Sequence, residues 1–277
     1  MTGSLAATEP AIGYWHLAIA ATLLLANAAL SLVLHLGLAR SLLVGALRAL
    51  VQLSLVGVVL KTVFSLNSPW LVTAVIIFML ASASREIHAR QKRRLSGWWS
   101  LGIGSGVSTV ALVITGMLAL ITLHPSPWWA PKVAIPMIGI VLGAVMNGVS
   151  LTLDALTTGV TRQRAAIEAQ LALGATRFEA LRELQRAALR TGTIPTINQM
   201  TAAGIITLPG MMTGQILAGM EPFEAAKYQI LVLFLLAGGG TLGAVLVSYW
   251  VIHRVTDSRD RLRLDRLAPD SGSGRKG

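Results

Sequence analysis

The sequence has no cysteine and few charged residues, and these two absences remove several classes of protein. Among its 277 residues there is no Cys, which excludes a disulfide framework, an iron–sulfur cluster and a thiolate zinc site. Charged residues make up 13% of the chain, against about 25% in a soluble domain. An ordinary cytosolic enzyme is therefore disfavoured.

Three catalytic motifs are also missing from the chain. The sequence has no G-x-x-x-x-G-K-[ST], so it does not bind nucleotide through a P-loop. It has no H-E-x-x-H and no G-x-S-x-G either. We therefore predict no catalytic residue and no cofactor bound by this chain. Any active transport would take its energy from a partner or an ion gradient.

Long apolar runs dominate what is present, since hydrophobic residues make up 54% of the chain. A membrane-spanning helix needs about 20 predominantly apolar residues. The sequence predicts an all-α integral membrane protein with about seven transmembrane helices. The predicted spans are Ile12–Leu36, Leu42–Phe64, Trp70–Ser84, Trp98–Leu123, Val133–Leu156, Ile194–Ala218 and Tyr228–Ile252.

The basic residues predict the orientation of these spans. Nineteen of the 23 Lys and Arg fall between spans 1 and 2, 3 and 4, or 5 and 6, or after span 7. Lys61, Lys132 and Lys227 fall on the opposite side. Cytoplasmic loops carry the excess of Lys and Arg, so the N-terminus is predicted outside and the C-terminus inside. The net charge of +11 then reflects topology, and we predict no nucleic-acid partner.

These spans divide the chain into five segments. Residues 1–11 form an external N-terminal segment, and residues 12–157 form membrane helices 1–5. Residues 158–191 form a cytoplasmic loop, and residues 192–253 form helices 6 and 7. Residues 254–277 form a basic cytoplasmic tail whose Gly/Ser-rich end is predicted to be disordered.

The cytoplasmic loop is predicted to contain two helices. The first, Arg162–Leu173, ends at Gly174, because glycine is the usual residue just beyond a helix C-terminus. The second, Arg177–Arg190, follows Thr176 and Glu179, which have the Thr-x-x-Glu spacing of a capping box. This loop either docks on a partner or lies as an amphipathic helix on the bilayer surface.

Span 6 is predicted to be broken within residues 207–214, T-L-P-G-M-M-T-G. Pro209 removes a backbone donor, and Gly210 loosens the helix further. Such breaks occur where the backbone is buried in protein or lines a cavity, as in transporters. The alternative interpretation is a kinked packing helix that contacts no substrate.

Polar residues within the spans are candidates for the transport pathway, because polar groups in a membrane are costly. Most have a structural alternative: Arg48 as a lipid anchor, Asp154 as the partner of a loop arginine, and the amides as helix–helix hydrogen bonds. The candidates, with the broken segment, are Arg48, Gln52, Asn147, Asp154, Asn198, Gln199, Thr207, Pro209, Gly210, Met211 and Met212.

Metal ligands are not identified by the sequence. The five His are scattered, and none lies at helical spacing from another. Five methionines offer thioethers, which suit copper(I) better than iron, although Met commonly fills apolar gaps. They are Met79, Met146, Met200, Met211 and Met212.

Several motifs resemble one family of transporters. The string E-A-Q-L-A-L-G-A-T at 168–176 resembles the coupling loop of ABC-transporter permeases. The segment 194–230, with L-P-G-M-M-T-G, closely resembles the iron-export ABC permease family (FetB-type), whose plant relatives are linked to aluminium tolerance. R-A-L-V-Q-L-S-L-V-G at 48–57 and I-P-M-I-G-I-V-L-G at 135–143 agree with it.

This resemblance implies a permease subunit, with no enzymatic activity of its own, that exports iron, another metal ion or a small solute. It implies a homodimer in a bacterial inner membrane, surrounded by lipid, and a separate cytoplasmic ATPase that holds the ATP. The ATPase would contact the loop at Glu168, Ala169, Gly174, Ala175, Thr176 and Glu179. The alternative is an ion-coupled secondary transporter or a channel that acts without an ATPase.

Overall fold

The structure is a computed structural model that describes residues 13–91, 99–123, 127 and 129–267. The predicted external segment 1–11 and the predicted disordered end of the tail lie outside these residues. The described residues form α-helices and no β-strand. The helices are α1 (Tyr14–Val33), α2 (Ala39–Leu66), α3 (Pro69–Arg90), α4 (Trp99–Leu123), α5 (Pro131–Arg162), α6 (Arg164–Ala172), α7 (Arg177–Ala180), α8 (Arg182–Ala202), α9 (Gly210–Leu217) and α10 (Pro222–Val255), followed by the 3₁₀ turn Leu264–Arg266.

The first of two units comprises residues 1–66, within which α1 and α2 pack against each other. Gly37 adopts φ +71° in the turn between them, and the Ser31 hydroxyl accepts a hydrogen bond from the Leu38 N–H at 3.0 Å. Most apolar side chains of this hairpin are exposed, including Leu47 and Leu53 on α2. Such a surface suits lipid or another apolar partner.

The second unit, residues 67–277, is built around α5 and α10, which share its most extensive contact. The two helices cross where Gly148 meets Gly240. A Cβ added at Gly148 would lie 2.5 Å from the Gly240 carbonyl oxygen. Gly192 of α8 reaches the same point, because a Cβ there would collide with the Thr152 side chain. Three helices therefore meet backbone to backbone at positions that only glycine fills without displacement.

Two helices of this unit are longer than a membrane requires. A helix rises about 1.5 Å per residue, so α5 and α10 are about 50 Å long, against a hydrocarbon core of about 30 Å. Arg90, the last residue of α3, donates to the Asn147 side chain midway along α5 at 3.2 Å. The second half of α5 therefore extends past the end of α3.

This extended half has a core of its own. Leu156 and Val160 of α5 are fully buried, as are Leu181 beside α8 and Val251 and Val255 of α10. Because its apolar side chains are enclosed by protein, the extension does not depend on lipid to cover them.

The prediction of an all-α membrane protein is confirmed. Among the described residues, five helices are long and apolar enough to cross a membrane: α1, α2, α3, α5 and α10. A shorter apolar stretch, Gly106–Ala119, lies within α4. The orientation from charge stays a prediction.

The second loop helix departs from its predicted bounds. The capped segment is only the single turn α7, and a new helix, α8, begins at Arg182. This helix continues without a break past residue 191 to Ala202, through Pro195. The predicted end of the second loop helix at Arg190 is thus wrong, because the change from polar to apolar residues near Ile194 does not interrupt the backbone hydrogen bonds. The boundary between the loop and span 6 stays a prediction. Span 6 is interrupted between α8 and α9, as the sequence predicts.

Candidate functional site

The turn between α6 and α7 has the predicted capping box. The Thr176 hydroxyl accepts from the Glu179 N–H at 3.4 Å, and the Glu179 carboxylate accepts from the Thr176 N–H at 2.8 Å. The backbone N–H of Thr176 is the main cause that lowers the pKa of Glu179 below its usual value. The box fixes the start of α7, so the two loop helices hold a defined angle.

Gly174 makes the bend before this box. Its φ is +93°, a conformation that glycine adopts without the steric penalty of a side chain. The N–H groups of Gly174 and Ala175 donate to the carbonyls of Leu171 and Gln170, both at 3.1 Å, and these bonds close the end of α6. The loop tip is small and open, since nothing lies within 4 Å of a Cβ built at Gly174.

The outward face of the tip carries an exposed apolar side chain. Leu173 is 89% exposed, directly before the glycine. Glu168 and Ala169 are exposed on α6, and Glu168 forms an ion pair with Arg164 at 2.8 Å. An open leucine beside small residues is suited to insertion into a groove on another protein.

The inward face of the loop packs against the hydrophobic core of the second unit and against α10. Ile167 is 2% exposed and belongs to the hydrophobic core. The Phe178 ring packs against Tyr249 and His253 of α10, with ring centroids 5.7 and 5.2 Å apart. Because these contacts are with protein, the loop is part of the folded unit and is not an amphipathic helix held only by a bilayer surface.

The chain after α10 folds back onto this loop. We call residues Thr256–Leu267 the C-terminal hook. Asp260 of the hook forms an ion pair with Arg177 of α7. The Arg266 guanidinium donates to the carbonyl of Arg254 at 3.0 Å, and Leu267 is buried. The first part of the predicted tail is therefore folded and braces the two-helix loop formed by α6 and α7.

Asp257 holds the turn of the hook. Its carboxylate accepts from the backbone N–H groups of Arg261 and Arg259, both at 2.9 Å. The N–H of Arg261 is the largest cause that lowers the pKa of Asp257 to about 2. The turn thus depends on an ionised carboxylate.

The break in span 6 begins earlier than the predicted Pro209–Gly210 pair. Helix α8 ends at Ala202, and Gly204 then turns the chain at φ +84°. The N–H groups of Ile206 and Thr207 return to the Ala202 carbonyl at 2.9 and 3.0 Å. Pro209 is the N-cap of α9, so it starts the next helix and does not end the previous one.

Two cavities follow one another along α8. The first, which we call the amide cavity, has a volume of about 230 Å³ and contains the predicted residues Asn147 and Gln199. Thr196 of α8 and Leu236 of α10 also line it. Asn147 is at the same time the acceptor for Arg90, so the predicted helix–helix hydrogen bond is present beside the cavity.

The second, which we call the break cavity, lies where α8 gives way to α9 and has a volume of about 450 Å³. Gln229 of α10, a polar side chain 6% exposed, is among its lining residues. The other lining residues are apolar or glycine: Met200, Ala203, Gly204, Pro209, Met212, Ala226, Ile230, Leu233 and Phe234.

Several predicted pathway residues do not line either cavity. Arg48 and Gln52 lie on α2 in the first unit, with exposed side chains. Asn198 and Thr207 are exposed, and Asp154 is half-buried on α5. The remaining two, Gly210 and Met211, begin α9, and Met211 packs against the core.

The sequence interpretation missed Arg90, Thr196 and Gln229. Gln229 had a readable signal, since it is a lone amide near the start of an apolar span. Arg90 was counted only as a topology charge, and Thr196 carries no signal beyond a hydroxyl in a helix. No group of three or more His, Cys, Asp or Glu suited to a metal occurs in the part of the chain that the structure describes.

The fold and the site define a multi-pass, all-α membrane protein with a broken helix and a capped two-helix loop. A model of the uncharacterised protein family UPF0014 matches residues 14–256, and the chain belongs to this family. This confirms the family suggested by the motifs, which includes FetB and plant relatives.

Three relatives illustrate the range of the family. The chain is 37% identical to UPF0014 membrane protein slr1647 of Synechocystis sp., over 78% of this chain and 83% of the relative. It is 31% identical to the "Probable iron export permease protein FetB" of Escherichia coli, over 79% of this chain and 83% of the relative. It is 34% identical to UPF0014 membrane protein STAR2 of Oryza sativa, over 83% of this chain and 80% of the relative. No solved structure matches the chain.

Proposed function

We propose that this chain is the membrane subunit of an ABC exporter, driven by ATP that a separate cytoplasmic subunit hydrolyses. The chain itself carries no P-loop, so the ATPase must be another protein. When two ATPase subunits close around ATP, they would move the two-helix loops of the membrane subunits. Helix α8 would carry this movement to the broken segment beside the cavities.

One observation carries this proposal: the capped two-helix loop leads directly into α8, the helix that lines both cavities. Its tip presents Leu173, while its inner side packs on the buried core. From Leu181 the chain passes directly into α8, whose far end lines both cavities. A push at the tip would therefore reach the cavities through one continuous helix.

The cargo is proposed from the name of a relative. FetB is described as a probable iron export permease, and this chain shares 31% identity with it over most of both lengths. We propose iron, carried as an ion or as a complex, as the first cargo to test.

Assembly and location complete the proposal. The exposed apolar side chains of α1 and α2 suit lipid and the packing of a second copy of the chain, as in a homodimer. The basic end formed by the coupling loop and the hook is proposed to face the cytoplasm of a bacterial inner membrane.

The docking of the ATPase is tested by placing a tryptophan at the loop tip. We expect Gly174→Trp to abolish co-purification of the ATPase in mild detergent, because the large ring fills the open tip. Gly219→Trp is the matched control. It has the same φ of +93° and nothing within 4 Å of a Cβ, but it lies before α10, at the opposite end of that helix.

The two variants impose the same backbone strain. A difference in ATPase retention between them therefore shows that the ATPase contacts the surface around Gly174. Equal retention of the ATPase by both variants would contradict docking at the loop. Cargo flux by the chain alone, driven by an ion gradient and without any ATPase, would support the alternative of a secondary transporter.

A further inference from the structure

Helix α8 runs beside the middle of α5, at the depth of the hydrocarbon layer. Helix α5 has 32 residues, and about 20 residues span the layer, so residues 143–150 fall inside it wherever along α5 the layer lies. A Cβ built at Gly192 of α8 would lie 2.8 Å from the carbonyl oxygen of Gly148, and Gln199 shares the amide cavity with Asn147. Residues 192–199 of α8 are therefore at membrane depth.

One side of α8 is covered by the second unit, and the other side is open. The covered side packs on α5 and α10, where Ala188 is 1% exposed. The opposite side presents exposed residues at positions i, i+3, i+7 and i+10 of the helix. We call these residues the outward face of α8: Thr191, Ile194, Asn198 and Thr201.

This outward face is poorly suited to lipid. Helix α8 has 21 residues, but it is not among the five described helices that are long and apolar enough to cross a membrane. The hydroxyls of Thr191 and Thr201 donate to carbonyls of their own helix at 3.0 Å, so lipid can cover them. The exposed Asn198 amide makes no side-chain hydrogen bond to the described residues. An amide without a partner in hydrocarbon is strongly unfavourable, so this face requires water or protein beside it.

The amide cavity opens next to the outward face. Asn147, Pro195 and Gln199 line this cavity, and all three side chains are exposed. Gln199 follows Asn198 directly on α8, and its amide also makes no side-chain hydrogen bond within the described part of the chain. The cavity is therefore not closed on this side by the described residues, and amides border the opening.

A second copy of the chain fits this surface better than lipid or the ATPase. Lipid tails offer the amides no hydrogen bond, and a cytoplasmic ATPase does not reach the middle of the membrane. A carboxamide has both donors and an acceptor, so two identical amides can pair with each other. In a two-fold interface the same patch of both copies meets, and Asn198 supplies such a self-complementary group.

We propose that two copies of the chain meet across the outward face of α8, with Asn198 of each copy beside the two-fold axis. Each copy then closes the amide cavity of the other, so the cavity is complete only in the dimer. This inference rests on the proposed homodimer, and it names the face through which the homodimer forms.

Cysteine cross-linking of the full-length protein in native membranes tests this face, because the chain has no cysteine of its own. Asn198→Cys would be oxidised with copper phenanthroline and run on a non-reducing gel. We expect a dimer band at least about tenfold stronger than that of the control variants, because a disulfide needs Cα atoms about 4.4–6.8 Å apart. Ile194→Cys and Thr201→Cys, on the same face, should form dimers with a short bis-maleimide.

Two positions at membrane depth are the matched controls. Met200→Cys lies on the same helix, but Met200 lines the break cavity and packs against the core. Met117→Cys lies on α4, where Met117 is 58% exposed, and α4 packs on α3, α5 and α10. Neither variant should form the dimer band, because the first position faces its own chain and the second faces lipid.

The inference is overturned if none of the three outward positions forms a dimer band, or if Met117→Cys forms one equally well. The mass of the unmodified protein in polymer-extracted native nanodiscs separates this result from the proposed function. A dimer without cross-links through α8 keeps the proposed homodimer and removes this face, whereas a monomer removes both. Gly174→Trp added to Asn198→Cys should leave the band unchanged, since ATPase docking is tested separately.

Discussion

Single glycines decide where the helices of the second unit meet. Gly148 and Gly240 bring the backbones of α5 and α10 together, and Gly192 brings in α8. Small residues permit such close approach in membranes, where packing is the main force between helices. The crossing lies one residue from Asn147, so the same contact fixes the position of the amide cavity.

Gly148→Ala tests this crossing. The added methyl group would meet the Gly240 carbonyl oxygen at 2.5 Å, so one helix must shift. We expect a loss of about 1–3 kcal/mol in stability, measured by thermal denaturation in detergent. Gly238→Ala on α10 is the control, because nothing lies within 4 Å of its Cβ, and a helical Gly→Ala change is neutral or stabilising. Equal melting temperatures for the two variants would contradict the close crossing.

Residues whose role is local were readable in the sequence, and residues whose role depends on distant partners were not. Gly174 and the Thr176–Glu179 box act within a few residues, so spacing alone predicts their geometry. Gln229 and Gly148 acquire their roles from helices far away in the chain. A sequence without its fold does not show what lies opposite them.

Among the elements, the C-terminal hook connects the last long helix to the two-helix loop of α6 and α7. Its Asp260 reaches Arg177 across 83 positions of sequence, and its Asp257 holds the turn that makes this possible. The sequence predicts only a basic tail here. A turn that is held by one aspartate leaves no periodic pattern of apolar residues from which the hook could be predicted.

The hook should open as the pH falls below 4. The pKa of Asp257 is lowered from 3.8 to about 2 in the folded protein, so its contribution is complete above pH 3.8 and is lost as the pH falls towards 2. We expect pepsin to leave the hook intact near pH 4.5 and to cleave it increasingly down to pH 2. Asp257→Ala should be cleaved already at pH 4.5.

Asp265→Ala is the control for this experiment. Its carboxylate pairs with the Arg263 side chain at 2.9 Å on the exposed surface, and such pairs contribute little. Identical cleavage of all three proteins across the pH range would contradict the role of Asp257.

Helix α8 shows that the ends of a helix do not always coincide with a change in amino-acid composition. The sequence placed a boundary near residue 191, where arginines give way to apolar residues. The helix runs on, because a change of surroundings from water to lipid does not require a change of backbone. The break was predicted from Pro209 but begins at Ala203, since the proline is placed as the cap of the following helix.

On the scale of the whole molecule, the two-helix loop and the break cavity lie toward opposite ends of the second unit. The two-helix loop and the hook, with their arginines, lie at the C-terminal end of α10, and the break cavity lies near its N-terminal end. Helices α5, α8 and α10 connect the two through the glycine crossing. The exporter that we propose would receive mechanical work from the ATPase at the loop and move the solute at the cavities.

Transport in liposomes tests this account most directly. The chain and its ATPase would be reconstituted with the ATPase facing outward, and iron(II) would be supplied outside. The account predicts ATP-dependent accumulation of iron in the vesicles by the unmodified protein and by Gly219→Trp, and none by Gly174→Trp. Accumulation that needs no ATP, or that Gly174→Trp leaves unchanged, would contradict it.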